Sequence, residues 1–151
     1  MYRFACWVLQ NSAAAEDVVQ ECFLALLEHP SRFDPKRASL RTLLLGIARN
    51  QCHNRWRKLR SEVALEDDGI SHDIHALDRL ASDEANAILN AAVASLHALQ
   101  REALFLLEFE GLDLEEAASI ARVSAGTLKA RLHSGRERLK RELAWLAKEG
   151  F

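Results

Sequence analysis

The sequence predicts an all-α chain: two small helical domains joined by a linker, the C-terminal one a four-helix unit with a helix-turn-helix. Three observations carry this. The composition is 49% hydrophobic but only 7% aromatic, and Pro30 and Pro35 are the only prolines. Apolar residues recur at helical spacing over most of the length. No run alternates apolar and polar residues as a half-buried strand would. At 151 residues the chain holds one ordinary domain or two small ones.

Residues 2–9 read as the end of a helix, with Phe4, Trp7 and Val8 facing inward. Asn11 and Ser12 break it, and Ser12 is placed to cap a helix over about 13–28. In that helix Val18, Val19, Cys22, Phe23, Leu26 and Leu27 form the expected buried stripe. Glu16, Asp17, Gln20 and Glu21 lie toward its start, where acids suit the helix dipole. The two prolines enclose a loop over 29–39.

A long helix follows over about 40–60. Leu40, Leu43, Leu44, Ile47, Ala48, Cys52 and Trp56 mark its inner side. Arg57, Lys58 and Arg60 near its end are explained by the dipole alone, but Arg41, Arg49 and Arg55 lie too far back for that. From 61 to 82 the periodicity is lost, which predicts a linker with a short helix around 76–80. Fully extended, it would reach roughly 70 Å, about two turns of B-DNA. Ser82 is placed to cap the next helix, with Asp83 and Glu84 in its first turn and Ile88, Leu89 and Val93 as its apolar face. One more helix over about 97–110 carries Leu99, Ala103, Leu104, Leu106, Leu107 and Phe109.

Residues 112–141 read as a short helix, a tight turn and a longer basic helix, which is a helix-turn-helix. Gly111 suits a left-handed position after the preceding helix. Asp113 stands at an N-cap with Glu116 three residues on. Arg122, Val123 and Ser124 make the turn, and Ser124 caps the last helix. There Leu128, Leu132, Leu139, Leu143 and Leu146 form the inner stripe. Lys129, Arg131, Arg136, Arg138, Lys140 and Arg141 cannot all enter a core. A solvated charged face is the ordinary explanation of such a run, but the helix-turn-helix frame upstream favours DNA.

The net charge of -2 hides an uneven distribution. The segments before 63 and after 128 are rich in Lys and Arg, whereas 63–96 sets Glu66, Asp67, Asp68, Asp73, Asp78, Asp83 and Glu84 against Arg79 alone. Basic ends around an acidic middle conceal nucleic-acid affinity from the overall sum. Cys6, Cys22 and Cys52 are scattered and suit reduced core thiols. Cys52 and His53 would make half a metal site, but no second pair has ligand spacing, so no metal is expected. No nucleophile-and-base constellation or phosphate loop points to catalysis, a cofactor or a small-molecule substrate. No apolar run approaches the ~20 residues of a spanning helix and no signal peptide is visible, so no membrane partner is expected.

Several separate motifs, in one order along nearly the whole chain, carry a family resemblance. Residues 15–23 (AEDVVQECF), 33–35 (FDP) and 43–50 (LLLGIARN) resemble the first domain of bacterial RNA polymerase sigma factors. Residues 99–103 (LQREA), 109–112 (FEGL), 115–118 (EEAA) and 126–132 (GTLKARL) resemble their last domain. The layout is similar to the small extracytoplasmic-function type. It implies an N-terminal domain over 1–60, a linker over 61–82 and a C-terminal domain over 83–151.

The resemblance implies roles for the matching positions. Asp17, Gln20 and Glu21 would contact the clamp of core RNA polymerase. The loop with Arg32, Lys36 and Arg37 would capture a flipped base of the minus-ten element of promoter DNA. Asn50 would help to read that element, while Arg49, His53, Asn54, Arg57 and Lys58 would meet the strand or its backbone. A flipped base needs a pocket and polar edge contacts, and its backbone needs cations. Lys129, Ala130, His133 and Ser134 would face base edges of the minus-thirty-five element. Thr127, Arg131, Arg136 and Arg138 would lie near phosphates. Phosphate contacts set affinity and register, and base-edge contacts set sequence preference.

The resemblance also implies cytoplasmic action and allows an anti-sigma factor as a further partner. The chain departs from the family pattern at some positions. Family members have an additional helix upstream, so the first helix of the N-terminal domain is expected to be missing or truncated. Leu40 and Leu43 stand where aromatic residues are common, Arg122 where the turn usually has glycine, and Ser134 where a basic residue is frequent. The competing reading is a stand-alone helix-turn-helix regulator that binds DNA as a dimer; the sequence offers no added dimerisation or ligand domain for it. An enzyme or metal-dependent module is the third.

Overall fold

The computed structural model describes residues 1–63 and 84–148; the side chains of residues 60–63 and 147 are outside the description. Among the described residues every regular element is helical. The chain divides into two compact units, the first holding the three N-terminal helices and the second the four that follow. The expected 76–80 helix, the Ser82 cap and all but the first three residues of the expected linker lie outside the described residues.

The first unit is α1 (Tyr2–Leu9), α2 (Ser12–Glu28) and α3 (Leu40–Val63), with a 3-10 turn at Pro30–Arg32. α1 ends at Gln10, which takes the left-handed conformation at φ 54°. Its backbone N–H donates to the Cys6 carbonyl, and its Nε2 donates to the Trp7 carbonyl at 2.8 Å. These bonds satisfy the end of the helix and offset the cost of a left-handed non-glycine residue. Asn11, rather than Ser12, caps α2: its side chain accepts from the Ala14 N–H at 3.0 Å. Asn is as good a cap as Ser, so the helix simply starts one residue earlier.

Phe4, Val8, Ala15, Val18, Cys22, Leu45, Ala48 and Cys52 form the core where the three helices meet. Their burial corrects two expectations. Phe23 and Leu27 of α2 are 49% and 76% exposed, not buried. The inner line of α3 runs through Leu45, Ala48 and Cys52, while Leu40 is exposed. α3 also continues past 60 to Val63, since residues 61–63 contain no glycine or proline to stop it. All three cysteines are buried, and none of them is in a disulfide. Burial pushes the Cys22 thiol up to about 11 and raises that of Cys6, so both are neutral core groups.

The second unit is α4 (Glu84–Ala94), α5 (Ala98–Leu104), a π-helical turn (Phe105–Phe109), α6 (Leu114–Ala121) and α7 (Ala125–Lys148). The single helix expected over 97–110 is therefore α5 continued by a wider turn, in which the Glu110 N–H donates to the Phe105 carbonyl at 2.9 Å. Phe109 stacks on Phe105 with ring centroids 5.9 Å apart. Gly111 then takes φ +63°, as its place after the helix predicts.

Asp113 caps α6 by accepting from the Glu116 N–H at 2.8 Å. Ser124 caps α7 by accepting from the Thr127 N–H at 3.2 Å. Between them Arg122 occupies the left-handed region at φ 56°, where the turn requires it. Leu104, Phe105, Leu106, Ala117, Ile120, Leu128 and Leu146 fill the core. Gly135 lets α7 approach α5 closely; a Cβ there would lie 3.3 Å from the Gln100 Cβ.

Two charged residues of α5 are buried with this core. Arg101 donates to the carbonyls of Ala94 and Leu96, closing the C-terminal end of α4. Burial lowers its guanidinium to about 10. Glu102 is fully buried beside it.

Candidate nucleic-acid interface

The start of α7 is set by its cap. The Ser124 and Thr127 hydroxyls are 2.9 Å apart, which orders the first turn. Leu128 then points inward, and the helical period leaves Gly126, Lys129, Ala130 and His133 on the opposite, exposed side. Ser134 is exposed on the flank of this stripe. Five of the expected residues, Thr127, Lys129, Ala130, His133 and Ser134, are thus brought together on an accessible surface at the helix start. A surface of this kind can enter a major groove.

The cations expected near phosphates are placed differently. Arg131 is half-buried, and its guanidinium lies 4.0 Å from the Glu102 carboxylate. Arg136 donates to Glu108 at the end of the π-helical turn. Arg138 is half-buried. One turn beyond His133, Glu137 accepts from Lys140 at 3.2 Å. That bond holds the Glu137 carboxyl below its ordinary value, with His133 and Arg141 adding to the effect. The carboxylates of Glu102 and Glu108 were not legible as partners of α7, because sequence spacing says nothing about which helices meet.

In the first unit, Arg32, Lys36 and Arg37 are exposed on the loop between α2 and α3. The Asp34 side chain accepts from the Lys36 N–H at 2.9 Å and shapes this turn. Ser39 caps α3, accepting from the Thr42 N–H at 3.1 Å. Along α3 the residues expected to meet DNA fall on two stripes. Positions 50, 54 and 57 share one, with Asn54 and Arg57 exposed. Arg49 and His53 share the next and are half-buried, His53 lying edge-on to Trp56 at 6.4 Å between ring centroids. Asn54, Arg57 and Lys58 also line an open cavity of about 350 Å³ together with Glu21, Gln51 and Arg55.

The outer face of α2 carries a feature that helical periodicity does not reveal. Asp17 and Gln20 are exposed, as expected. Phe23, Leu24 and Leu27 continue the same stripe, with Leu24 55% exposed. Glu21 is partly covered and accepts from Arg55 of α3 at 2.6 Å, and Asp17 lies 3.8 Å from the same guanidinium. The available signal was the width of the apolar arc. Residues 22–24, 26 and 27 wrap more of the helix than one neighbouring face can cover. Clustered exposed apolar side chains mark interaction surfaces. Among the described residues no group of His, Cys, Asp and Glu could hold a metal ion, and no helix is long and apolar enough to cross a membrane.

Residues 1–62 match the family described as Sigma-70 region 2, and residues 86–139 that described as Sigma-70, region 4. The chain is 32% identical to the ECF RNA polymerase sigma factor EcfG of Rhodopseudomonas palustris, over 90% of this chain and 75% of that protein. It is 30% identical to the ECF RNA polymerase sigma factor SigM of Bacillus subtilis, over 93% and 86% respectively. Among solved structures, the sigma factor RpoE of Bartonella quintana, in complex with the anti-sigma factor NepR, superposes with a TM-score of 0.76 at 28% identity. The match covers 95% of this chain and 89% of that one.

Proposed function

The chain belongs to the extracytoplasmic-function RNA polymerase sigma factors, and from that membership we propose how its two units divide the work. It directs promoter-specific transcription initiation with RNA polymerase. The first unit, over residues 1–60, holds core polymerase through the outer face of α2 and opens promoter DNA along the α2–α3 loop and α3. Residues 61–82 link it to the second unit, over 83–151, which sets the start of α7 against the minus-thirty-five element. The chain performs no covalent chemistry; it works in the cytoplasm beside the polymerase. An anti-sigma factor is a natural competitor for its docking surfaces.

The observation that carries this reading is the α2 stripe of Asp17, Gln20, Phe23, Leu24 and Leu27. A protein that only bound DNA would gain nothing from exposing three large apolar side chains beside a carboxylate. A protein that docks on a large partner would bury them there. Arg32, Lys36, Arg37, Asn50, Asn54, Arg57 and Lys58 supply the cations and amide groups that single-stranded DNA requires. Lys129, Ala130, His133 and Ser134 supply a reading face, on which Ala130 offers an apolar contact suited to a thymine methyl.

The test is titration of labelled core polymerase with the wild-type chain and with Leu27→Ser. The reading expects tight wild-type binding and a loss of at least tenfold in the variant, the scale of an interface anchor. Equal affinities would remove the α2 face from the interface. The stand-alone regulator is not favoured, because it leaves the region 2 match over residues 1–62 without a purpose.

A further inference from the structure

We infer that Arg131 is a positioning residue of the recognition helix, held by the buried carboxylate of Glu102, and not one of its phosphate contacts. This rests on the reading of α7 as the promoter-facing helix. Glu102 is 0% exposed, and the Arg131 guanidinium, 24% exposed, reaches to within 4.0 Å of it from α7. The neighbouring cation, Arg101, donates to the carbonyls of Ala94 and Leu96.

A carboxylate in the interior is tolerated only where a cation and hydrogen bonds compensate it. Turning Arg131 outward to a phosphate would take its positive charge away from this carboxylate. Helix geometry places Arg131 on the flank between Leu128 and Gly135, two of the buried positions through which α7 lies against the rest of the unit. At Gly135 the approach is so close that a Cβ would meet the Gln100 Cβ at 3.3 Å. The ion pair and the glycine contact both lie on the α5–α7 seam, so they fix the rotation of α7 about its own axis.

Lys129, Ala130 and His133 project from the opposite side of the helix. Their direction follows from that rotation. A buried ion pair is best attested as a device that specifies register, and here the register is that of a reading head. Glu102 therefore influences which DNA sequence is read without touching DNA. Arg131 contributes to sequence selection and not to the electrostatic part of affinity.

The two roles leave different signatures. A phosphate contact contributes about 0.9 to the slope of log affinity against log salt concentration and is indifferent to sequence. A positioning residue leaves that slope alone and changes selection. The test uses the full chain bound to core polymerase. Duplexes are first selected by the wild-type holoenzyme from a library randomised in the upstream promoter element. Affinity for a selected duplex and for a scrambled one is then measured across a salt series for wild type, Glu102→Gln, Arg131→Lys and Arg131→Met, each checked for cooperative melting.

The expected result is an unchanged salt slope, with preference for the selected duplex reduced roughly tenfold or more in Glu102→Gln and Arg131→Lys, on the scale of a misread base pair. Two outcomes overturn the proposal: a slope reduced by about 0.9 in Arg131→Met, or full preference retained in Arg131→Lys and Glu102→Gln. Should Arg131→Met fail to fold, Arg131→Lys decides, because lysine still supplies a point charge to a phosphate but not the planar guanidinium. Failure of the wild-type holoenzyme to select any upstream sequence would instead overturn the reading of α7 as promoter-facing.

Discussion

Arg55 of α3 donates to the carboxylate of Glu21 on α2 at 2.6 Å, and its other terminal nitrogen lies 3.8 Å from Asp17. One guanidinium thus faces both of the carboxylates proposed for polymerase docking. Arg55→Met is expected to lower the stability of the first unit by about 1 kcal/mol, the upper end for a partly exposed pair. The loss is expected to shrink at high salt. In Glu21→Gln the same substitution should cost much less, because the shared interaction is already gone. Denaturant melts of the four combinations measure this coupling.

The exposed stripe of α2 separates binding from folding. Leu27 is 76% exposed, so Leu27→Ser is expected to change stability by no more than about 0.5 kcal/mol. Asp17→Arg sets a second guanidinium near Arg55, so it should cost somewhat more, up to about 1 kcal/mol, while abolishing core binding. Circular dichroism melts, read beside the polymerase titration, check both. A large fall in melting temperature would mean that these side chains serve the fold.

Much of this was legible in advance. The caps at Asp113 and Ser124, the left-handed Gly111 and the inward Leu128 follow from local chemistry that acts within one turn. The exposure of Phe23 and Leu27 did not follow, because periodicity reports which residues are apolar and not whether a neighbour exists to cover them. The ion pairs of Arg55, Arg131 and Arg136 are contacts between helices, and spacing along one helix carries no information about its neighbours. Lys129, Ala130 and His133 share one exposed side of α7, which follows from spacing alone because they are related by a single helix period.

Arg122 holds φ 56° in the helix-turn-helix turn, a conformation that costs an L-residue about 1 kcal/mol or somewhat more. Arg122→Gly is expected to raise the stability of the second unit by up to about 1 kcal/mol. Gly111→Ala, at φ +63°, is expected to lower it by a similar amount. Chemical denaturation of the paired variants gives both signs in one experiment.

The Cys22 thiol, raised from 9.0 to about 11 by burial, sets a pH dependence. Its native pKa lies above the unfolded value, so its contribution is intact below about pH 9 and is lost as pH rises toward 11. Unfolding midpoints of the first unit should fall over that window, and Cys22→Val should flatten the fall. Thiol reagents at pH 8 should leave all three cysteines unmodified until the chain is unfolded.

The most direct test of the account is run-off transcription from genomic promoter fragments, using core polymerase freed of any sigma factor. With the chain added, the account predicts a stable complex and transcripts from discrete start sites that core polymerase alone does not produce. A folded chain that forms no complex with core polymerase and yields no such starts would contradict it.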